Sequence, residues 1–484
     1  MASLRSPLIL AAAFLGLAGA GLWAWRALHP HPAPRVVLLT PEVSGLDPQT
    51  AQGAGRLWID QLEVASGATV LAPATPPTEA QLRSLPGEDL VMRLSGRRAG
   101  DGLGLHLAWI RAADLTQGRP WRILEIPPED PREAFQALQR GLPLPKSRAA
   151  DRLLPADPRR FWQLAAQVAV PDDAAVLQDL DGARSLAEGE PASAAAWANL
   201  GEHLYRSLWA EPAGGSLPQA KAQEAFDRAL ALVPGYPRAA LLKGMLLTDV
   251  GDQRTALQEL SAARRLRPGI PDLYAGLAYA GRTSGLLEGA ARAVALRRRL
   301  TAPLDLPSPW FAENTYLYLG DTAAFRASLQ ARRDPVFLFY SGYLDLAEGR
   351  AAEAGDAFRA GAALGRTSMP FSDLCAVYAL AVEGRREEAL EALAAFEAAR
   401  GRLRVPDGEL TFKVAEAYAY LGRPESANEA AGRAFAQGFG CLAWYERSPL
   451  FAPARQSPRW AALRQHLQAR QELLASSFPP STFG

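Results

Sequence analysis

The sequence predicts a mostly α protein: an α-solenoid of repeated helix pairs, preceded by a small α/β domain and an N-terminal transmembrane helix. The solenoid is indicated by glycines that recur at intervals of 29 to 38 residues, at Gly251, Gly285, Gly320, Gly349, Gly384 and Gly422. A fixed period near this length is typical of stacked helix–turn–helix units. Alternating apolar and polar segments within residues 35–145 indicate the α/β domain, and a long apolar run near the N-terminus indicates the membrane helix.

The membrane helix is predicted over Leu8–Leu28, where about 20 apolar residues could span a bilayer. Arg5 precedes this run, which favours a cytoplasmic N-terminus. Residues 29–34 alternate proline with other residues and form a stiff spacer. We therefore expect a single-pass inner-membrane protein with the bulk of the chain in the periplasm. The alternative is a signal peptide cleaved after Ala18–Ala20, which would leave a soluble periplasmic protein.

The α/β domain is predicted over residues 35–145 as a β-α-β-α-β-β-β-α sandwich. Its strands are expected at Val36–Leu39, Thr69–Leu71, Leu90–Ser95, Leu103–Arg111 and Trp121–Ile126, and its helices at Asp47–Ser66, Glu79–Ser84 and Pro131–Arg140. A glycine-rich turn over Gly96–Gly102 is expected to join the third and fourth strands.

The repeats are predicted over residues 157–440 as seven or eight units, followed by capping helices over residues 441–472. Alanine stands five residues after five of the six glycines, at Ala256, Ala290, Ala354, Ala389 and Ala427, whereas Phe325 follows Gly320. Glycine suits the turn between two helices, and alanine suits the place where helices cross closely.

Composition agrees with a folded protein, since 49% of residues are hydrophobic and 21% are charged. A net charge of +1 gives no bulk attraction to nucleic acid, so no nucleic-acid partner is expected. Cys375 and Cys441 are expected to be buried thiols, with a disulfide between them as the alternative.

The units resemble tetratricopeptide repeats, whose pattern is W-x2-L-G-x2-Y followed by A-x3-F-x2-A and a proline. One unit carries this pattern at Trp197, Leu200, Gly201, Ala222, Phe226, Ala229 and Pro234, with a tyrosine one place late at Tyr205. Residues 35–145 resemble the TolB amino-terminal-like domain, which is related to the FlgO domain. Val36–Asp47, Arg93–Asp101 and Ala112–Asp114 carry that likeness, and Gly438–Gly440 resembles the closing segment of such proteins.

The second resemblance implies a relation to bacterial membrane-bound cyclases, kinases and regulators. In those proteins an enzymatic or DNA-binding domain precedes the membrane helix. Only seven residues precede Leu8, so we expect no output domain in this chain.

Catalysis, cofactors and metals are not expected. The five histidines, His29, His31, His106, His203 and His466, form no zinc-binding motif. The chain also has no nucleotide P-loop and no G-x-S-x-G nucleophile motif. His29 and His31 could bind a metal only weakly, because the spacer supplies no further ligands.

A partner protein is the expected ligand of the repeats. In tetratricopeptide arrays the first helix of each unit lines the concave face, and this register gives a partner-binding set: Val336, Phe339, Tyr343, Phe371, Tyr378, Phe412 and Glu416. The same register gives a less aromatic face in an earlier unit, at Arg238, Leu241, Met245 and Thr248. The alternative is that the aromatic residues pack between units as core. Lys413 and Arg282 are too few for a clamp on a peptide carboxyl terminus.

Two functions follow from these features. The first is a non-catalytic, membrane-anchored scaffold that binds a partner protein through the groove of the repeats. The alternative is the sensory half of a split envelope signalling system, in which the α/β domain binds a small ligand.

Overall fold

The computed structural model describes residues 35–73, 75–168, 179–210, 218–304, 306, 312–329, 334–365, 370–400 and 407–484. Within these ranges the protein is mostly helical, with a small mixed sheet of five strands near the N-terminal end. The predicted membrane segment Leu8–Leu28, the proline-rich spacer, and His29 and His31 lie outside the described residues.

The sheet has the strand order β2-β1-β3-β4-β5, in which β1 is parallel to β2 and β3, and β4 is antiparallel to both β3 and β5. The strands are β1 (Arg35–Ser44), β2 (Thr69–Leu71), β3 (Leu90–Ala99), β4 (Gly102–Arg111) and β5 (Arg122–Glu129), and the helices of this region are α1 (Pro48–Ser66), α2 (Glu79–Arg83), α3 (Ala112–Thr116) and α4 (Pro131–Gly141). Every strand and helix predicted here is present, and the short α3 is an addition.

The predicted turn over Gly96–Gly102 is wrong, because β3 continues to Ala99 and β4 begins at Gly102. Only Gly100 and Asp101 remain to join the strands, and Gly100 has a positive φ of 62°. Gly96 serves another purpose inside β3. A Cβ atom there would lie 3.0 Å from the Trp58 ring, so glycine lets α1 pack closely on the sheet.

The remaining helices follow one another in pairs. They are α5 (Pro158–Val168), α6 (Leu180–Gly189), α7 (Ala194–Ala210), α8 (Pro218–Leu232), α9 (Pro237–Asp249), α10 (Gln253–Leu266), α11 (Pro271–Thr283), α12 (Leu287–Thr301), α13 (Asn314–Leu319), α14 (Thr322–Leu329), α15 (Pro335–Ala347), α16 (Ala351–Ala363), α17 (Phe371–Val382), α18 (Arg386–Arg400), α19 (Gly408–Tyr420), α20 (Pro424–Ala436), α21 (Leu442–Arg447) and α22 (Pro458–Ser477). From α5 to α20, each odd-numbered helix packs against the even-numbered helix that follows it.

The recurring glycines form the turns inside these pairs, as predicted. All six have φ values between 66° and 92°, a conformation that residues with a Cβ atom rarely adopt. The alanines five residues later are all fully buried, and Phe325, which replaces alanine in one pair, is buried as well. The glycines thus mark the turns correctly, and the alanines five residues later lie in the core.

The helical array curves until its late helices contact its early ones. The backbone N–H of Asp407 donates to the Asp249 carbonyl at 3.1 Å, and that of Gly440 donates to the Thr283 carbonyl at 2.7 Å. Near these bonds, a Cβ atom on Gly251 would lie 3.0 Å from the Gln437 carbonyl oxygen. The end of α9 and the turn after it therefore pack against the residues around α19 and α20.

The sheet region packs directly on the array. Gly53 of α1 lies so close to α5 that a Cβ atom would be 1.8 Å from the Ala165 carbonyl oxygen. The hydroxyl of Tyr236 donates to the Asp60 carboxylate at 2.5 Å, which joins α1 to the residue just before α9. Buried contacts of this kind hold the two parts together.

The predicted single-pass inner-membrane localisation requires correction. Among the residues that the structure describes, no helix is both long enough and apolar enough to cross a membrane. The two longest, α1 and α22, have 19 and 20 residues and carry charged side chains such as Arg56, Asp60 and Arg464. The prediction is therefore not supported.

Candidate functional site

A cavity of about 340 Å³ lies inside the curved array. Its lining consists of Arg56, Glu202, Tyr205, Arg206, Trp209, Leu242, Met245, Asp249, Tyr279, Arg282, Asn314, Val336, Tyr340, Phe371, Asp407, Glu409, Leu410 and Lys413. Apart from Arg56 on α1 and Asp407 at the start of α19, every one of these residues belongs to the first helix of a pair. The inner face of successive pairs therefore encloses the cavity.

The cavity wall combines aromatic and charged groups. Five rings contribute, from Tyr205, Trp209, Tyr279, Tyr340 and Phe371. The side chain of Arg56, which borders the cavity from α1, is 44% exposed. A cavity wall that combines aromatic rings with a few polar groups is typical of sites for small ligands.

A buried ion pair crosses the cavity wall between α11 and α19. Arg282 Nε lies 3.2 Å from Glu409 Oε1, and Arg282 Nη2 lies 3.0 Å from Oε2. The Tyr318 hydroxyl donates to the same carboxylate. Burial acts to raise the pKa of Glu409, but the neighbouring Arg282 outweighs it, so the pKa lies below its usual value. Glu409 is therefore ionised and fully engaged.

A second pair involves Glu202 of α7. Its carboxylate accepts hydrogen bonds from Arg238 and lies 3.9 Å from Arg56 Nη1. Burial acts to raise the pKa of Glu202, but Arg238 and then Arg56 lower it to about 2. Since Arg56 lies on α1, this ion cluster connects the sheet region with the cavity.

Lys413 borders the cavity from α19, with its side chain buried. Its Nζ is 2.9 Å from Glu416 Oε2, within ion-pair distance although the two atoms are not aligned for a hydrogen bond. Four aromatic rings surround the ammonium, at 4.7 to 5.7 Å from their centroids: Tyr318, Tyr340, Tyr343 and Trp444. Contact with ring faces stabilises a buried cation.

Two further carboxyl groups, of Asp249 and Asp407, differ from these pairs. Asp249 accepts hydrogen bonds from the hydroxyls of Tyr279, at 2.6 Å, and of Tyr205. Burial, and then the nearby Asp407, raise the pKa of Asp249 to about 8. Burial, and then Glu409, raise the pKa of Asp407 to about 6. The cavity therefore holds two carboxyl groups that titrate near neutral pH.

The predicted partner-binding residues divide into two groups. Val336 and Phe371 line the cavity. The other five are almost completely buried: Phe339, Tyr343, Tyr378, Phe412 and Glu416. The ring of Phe339 has five aromatic neighbours, from Tyr340, Tyr343, Phe358, Phe371 and Tyr378. Glu416 accepts from the hydroxyls of Tyr343 and Ser448 and pairs with Lys413. The four aromatic residues of this second group pack as core, which was the alternative interpretation of the sequence.

Sequence reasoning missed Tyr205, Asp249, Tyr279 and Asp407 as cavity residues. Asp249 ends α9, and Asp407 precedes α19 with a positive φ of 40°. They meet only because the array closes, and no local spacing encodes that meeting. The available signal was an aspartate at the end of an otherwise apolar inner helix. Met245, by contrast, stands where the predicted register puts an inner-face residue.

No group of three or more His, Cys, Asp or Glu in the described ranges is arranged to hold a metal ion. Cys375 and Cys441 are free, buried thiols, as predicted. Burial raises the pKa of each to about 12, so neither forms a thiolate near neutral pH.

No protein-family model matches this chain, and no curated protein is significantly similar to it. The resemblance to tetratricopeptide repeats and to the TolB amino-terminal-like domain therefore stays a prediction, based on the residues quoted for it.

Proposed function

We propose that this protein is a non-catalytic binding protein: a tetratricopeptide-type solenoid, joined to a TolB amino-terminal-like domain, that holds a small ligand inside its curve. The observation that carries the proposal is the cavity of about 340 Å³, lined by the first helix of seven consecutive pairs. Its size and its mixed aromatic and polar wall fit a small molecule.

Three charged groups of the cavity wall are held by fixed partners, which supports a binding role for these groups. Glu202 and Glu409 are each held by an arginine, and Lys413 is held by Glu416 and by aromatic rings. Groups fixed in this way orient and polarise a ligand, whereas a nucleophile or a general base needs a group free to react. The proposal assigns the two remaining carboxyl groups, Asp249 and Asp407, with pKa values of about 8 and about 6, to ligand binding as well.

A partner protein lying along an open groove fits the geometry less well than a small ligand. Late helices contact the early part of the array, through Asp407 and Gly440. Rings such as Phe339 and Phe412, which the groove interpretation assigns to the partner, pack against other rings. Little of the inner face is left for an extended peptide, and the cavity is the part that a ligand could enter.

A sensory role is the second candidate, and the position of Arg56 favours it. Arg56 lies on α1 of the sheet region, borders the cavity, and approaches Glu202 of the array. A ligand in the cavity would contact both parts of the protein at once. Binding could then change how the sheet region packs on the array.

Occupation of the cavity can be tested with indole as a small, neutral aromatic probe. We expect saturable binding in ligand-observed NMR, with a dissociation constant in the millimolar range or below for a ligand of this size. Met245→Trp fills the cavity from α9 and should abolish the signal. Leu473→Trp, at an exposed position of α22, should leave it unchanged.

Both tryptophan variants must first retain the far-UV circular dichroism and cooperative melting of the wild type. Binding of indole that survives Met245→Trp in the folded variant would place the probe elsewhere and contradict the proposal. So would the lack of any saturable binding to the wild type.

A further inference from the structure

The four carboxyl groups of the cavity differ in whether a positively charged side chain lies next to them. Glu409 has Arg282 and Glu202 has Arg238 within hydrogen-bonding distance. Asp407 accepts a hydrogen bond from the Leu410 backbone N–H, and the positive charge of Arg400 acts on it. Asp249 instead receives two tyrosine hydroxyls, and in the described part of the chain no ion pair joins it to a lysine or arginine. The aspartate at the end of α9 is thus a buried carboxyl group without a paired cation.

The helices packed around Asp249 do not provide a lysine or arginine that pairs with it. The titratable and charged groups that face it or border the same cavity are Arg56 on α1, Glu202, Tyr205 and Arg206 on α7, Tyr279 and Arg282 on α11, Tyr340 on α15, Asp407 just before α19, and Glu409 and Lys413 on α19. Asp407 and Glu409 act on Asp249 as like charges. Arg282 forms a bidentate pair with Glu409, and Lys413 pairs with Glu416.

The walls beside Asp249 are also suited to a cation. Tyr205 and Tyr279 point their hydroxyls at its carboxyl group, and Trp209 and Tyr340 add further ring surface to the cavity. Aromatic faces attract organic cations, most strongly where water is excluded. A carboxylate held by two hydroxyls, beside several rings, is a suitable receptor for an ammonium group.

We propose that the cavity binds an organic cation, a protonated amine on a small apolar or aromatic body, whose ammonium group pairs with Asp249. This inference rests on the proposed function, because it names the class of ligand for the same cavity. The apolar body would lie against Met245, Val336 and Phe371, which also line the cavity.

This pairing requires Asp249 to ionise when the cation binds. Burial and Asp407 raise the pKa of Asp249 to about 8, so the free protein holds a proton there at pH 7. An ammonium ion favours the charged carboxylate and displaces that proton. Binding at pH 7 should therefore release close to one proton for each ligand bound.

Three indole probes of similar shape distinguish the effect of ligand charge from the effect of ligand shape. Tryptamine is a cation, indole-3-ethanol is neutral, and indole-3-acetate is an anion. In isothermal titration calorimetry at pH 7 we expect tryptamine to bind at least about tenfold more tightly than the neutral alcohol. We expect indole-3-acetate to bind most weakly. Comparing phosphate with Tris buffer should reveal the release of about one proton with tryptamine.

Asp249→Asn tests the residue. It should lower the affinity for tryptamine by about tenfold or more and remove the proton release, while leaving indole-3-ethanol unchanged. Asp181→Asn removes an exposed carboxylate of α6 and should change neither. The wild type gives a test that does not depend on the fold of a variant. Its affinity for tryptamine should rise by up to about tenfold per pH unit below pH 8, because ligand and proton compete.

The outcomes distinguish this inference from the proposed function. If indole-3-ethanol binds as tightly as tryptamine, or indole-3-acetate binds more tightly, the cavity is a binding site but its ligand is not a cation. If none of the three probes binds, both proposals fail. An unchanged tryptamine affinity between pH 6 and pH 8 would also overturn the pairing with Asp249.

Discussion

The inner face of the helical array has two halves, in which residues at equivalent positions of the repeat lie in different environments. Around α15, α17 and α19, the side chains Phe339, Tyr343 and Phe412 are buried among other rings: Phe339 packs on Tyr343, and Phe412 packs on Phe439, Tyr445 and Phe451. Around α7, α9 and α11, Met245 and Asp249 border the cavity instead. Met245 and Tyr343 occupy the same position of their units in the predicted register. The same place on a first helix is therefore core in one half and cavity wall in the other.

The difference is explained by what covers each half. Trp444 of α21 stacks on Tyr318 at 4.8 Å and lies 6.1 Å from Tyr343, measured between ring centroids, so a later segment fills the aromatic half. The other half faces residues around α19 across the cavity, with charged groups on both sides. An inward-facing position thus becomes core or site according to which distant segment packs over it.

The largest effect should come from removing a ring of the aromatic half. Phe339→Ala deletes a fully buried side chain with five aromatic neighbours and should lower the free energy of unfolding by roughly 3–5 kcal/mol. Met245→Ala, at the cavity wall, should cost less, about 2 kcal/mol, because part of its side chain borders open space. Urea unfolding measures both, and Leu364→Ala at an exposed position serves as the control. Equal losses for Phe339 and Met245 would remove the distinction between the halves.

Breaking the ion pair on the polar side should have the next largest effect. Arg282→Met leaves Glu409 buried without its guanidinium and should cost on the order of 3 kcal/mol. The double variant Arg282→Met with Glu409→Gln should regain part of that loss, since no buried charge is left alone. Arg184→Met breaks an exposed pair with Asp181 and should change the stability by less than about 1 kcal/mol. A loss no larger than this control would mean that the cavity wall does not depend on the pair.

The stability of the protein should depend on pH through Asp249, a group of the half that borders the cavity. The folded protein keeps a proton on Asp249 up to about pH 8, whereas the unfolded chain releases it near pH 3.8, the ordinary pKa of an aspartate. The stabilisation is therefore complete below about pH 4 and is lost as the pH rises towards 8. Between pH 5 and pH 7 this group alone should lower the free energy of unfolding by about 1.4 kcal/mol per pH unit. The Asp249→Asn variant should lack this contribution. If urea unfolding gives the same change of unfolding free energy with pH for the variant and the wild type, the prediction is contradicted.

The smallest effects should come from the turn glycines, which also occupy two environments. Gly349 has φ of 79° with no atom near the position of a Cβ, so Gly349→Ala should cost about 1 kcal/mol of backbone strain. Gly251 has φ of 92°, and its added Cβ would also meet the Gln437 carbonyl at 3.0 Å. Gly251→Ala should therefore cost about 1 kcal/mol more in thermal or urea unfolding. Equal costs would indicate that the contact between early and late helices yields easily.

Local signals in the sequence were sufficient for the elements. The alternation in Leu103–Arg111 and the turn glycine at Gly285 each report a conformation fixed by neighbouring residues. The short helix Ala112–Thr116 escaped because five residues carry no period. The site was harder to predict, since Asp249 and Asp407 lie 158 positions apart in the printed sequence and become neighbours only when the array curves. The aromatic residues were expected on the inner face, but periodicity does not state what packs over that face.

The contact of Gly251 with Gln437 has a consequence for how this chain could have diversified. An open array of repeats can gain or lose a unit by duplication or deletion, because each unit touches only its neighbours. Here an inserted unit would displace Gln437 from Gly251 and separate Asp407 from Asp249. The number of helix pairs between those residues is thus constrained by geometry. Variation among descendants of this chain should fall in side chains and loops and spare the count of units.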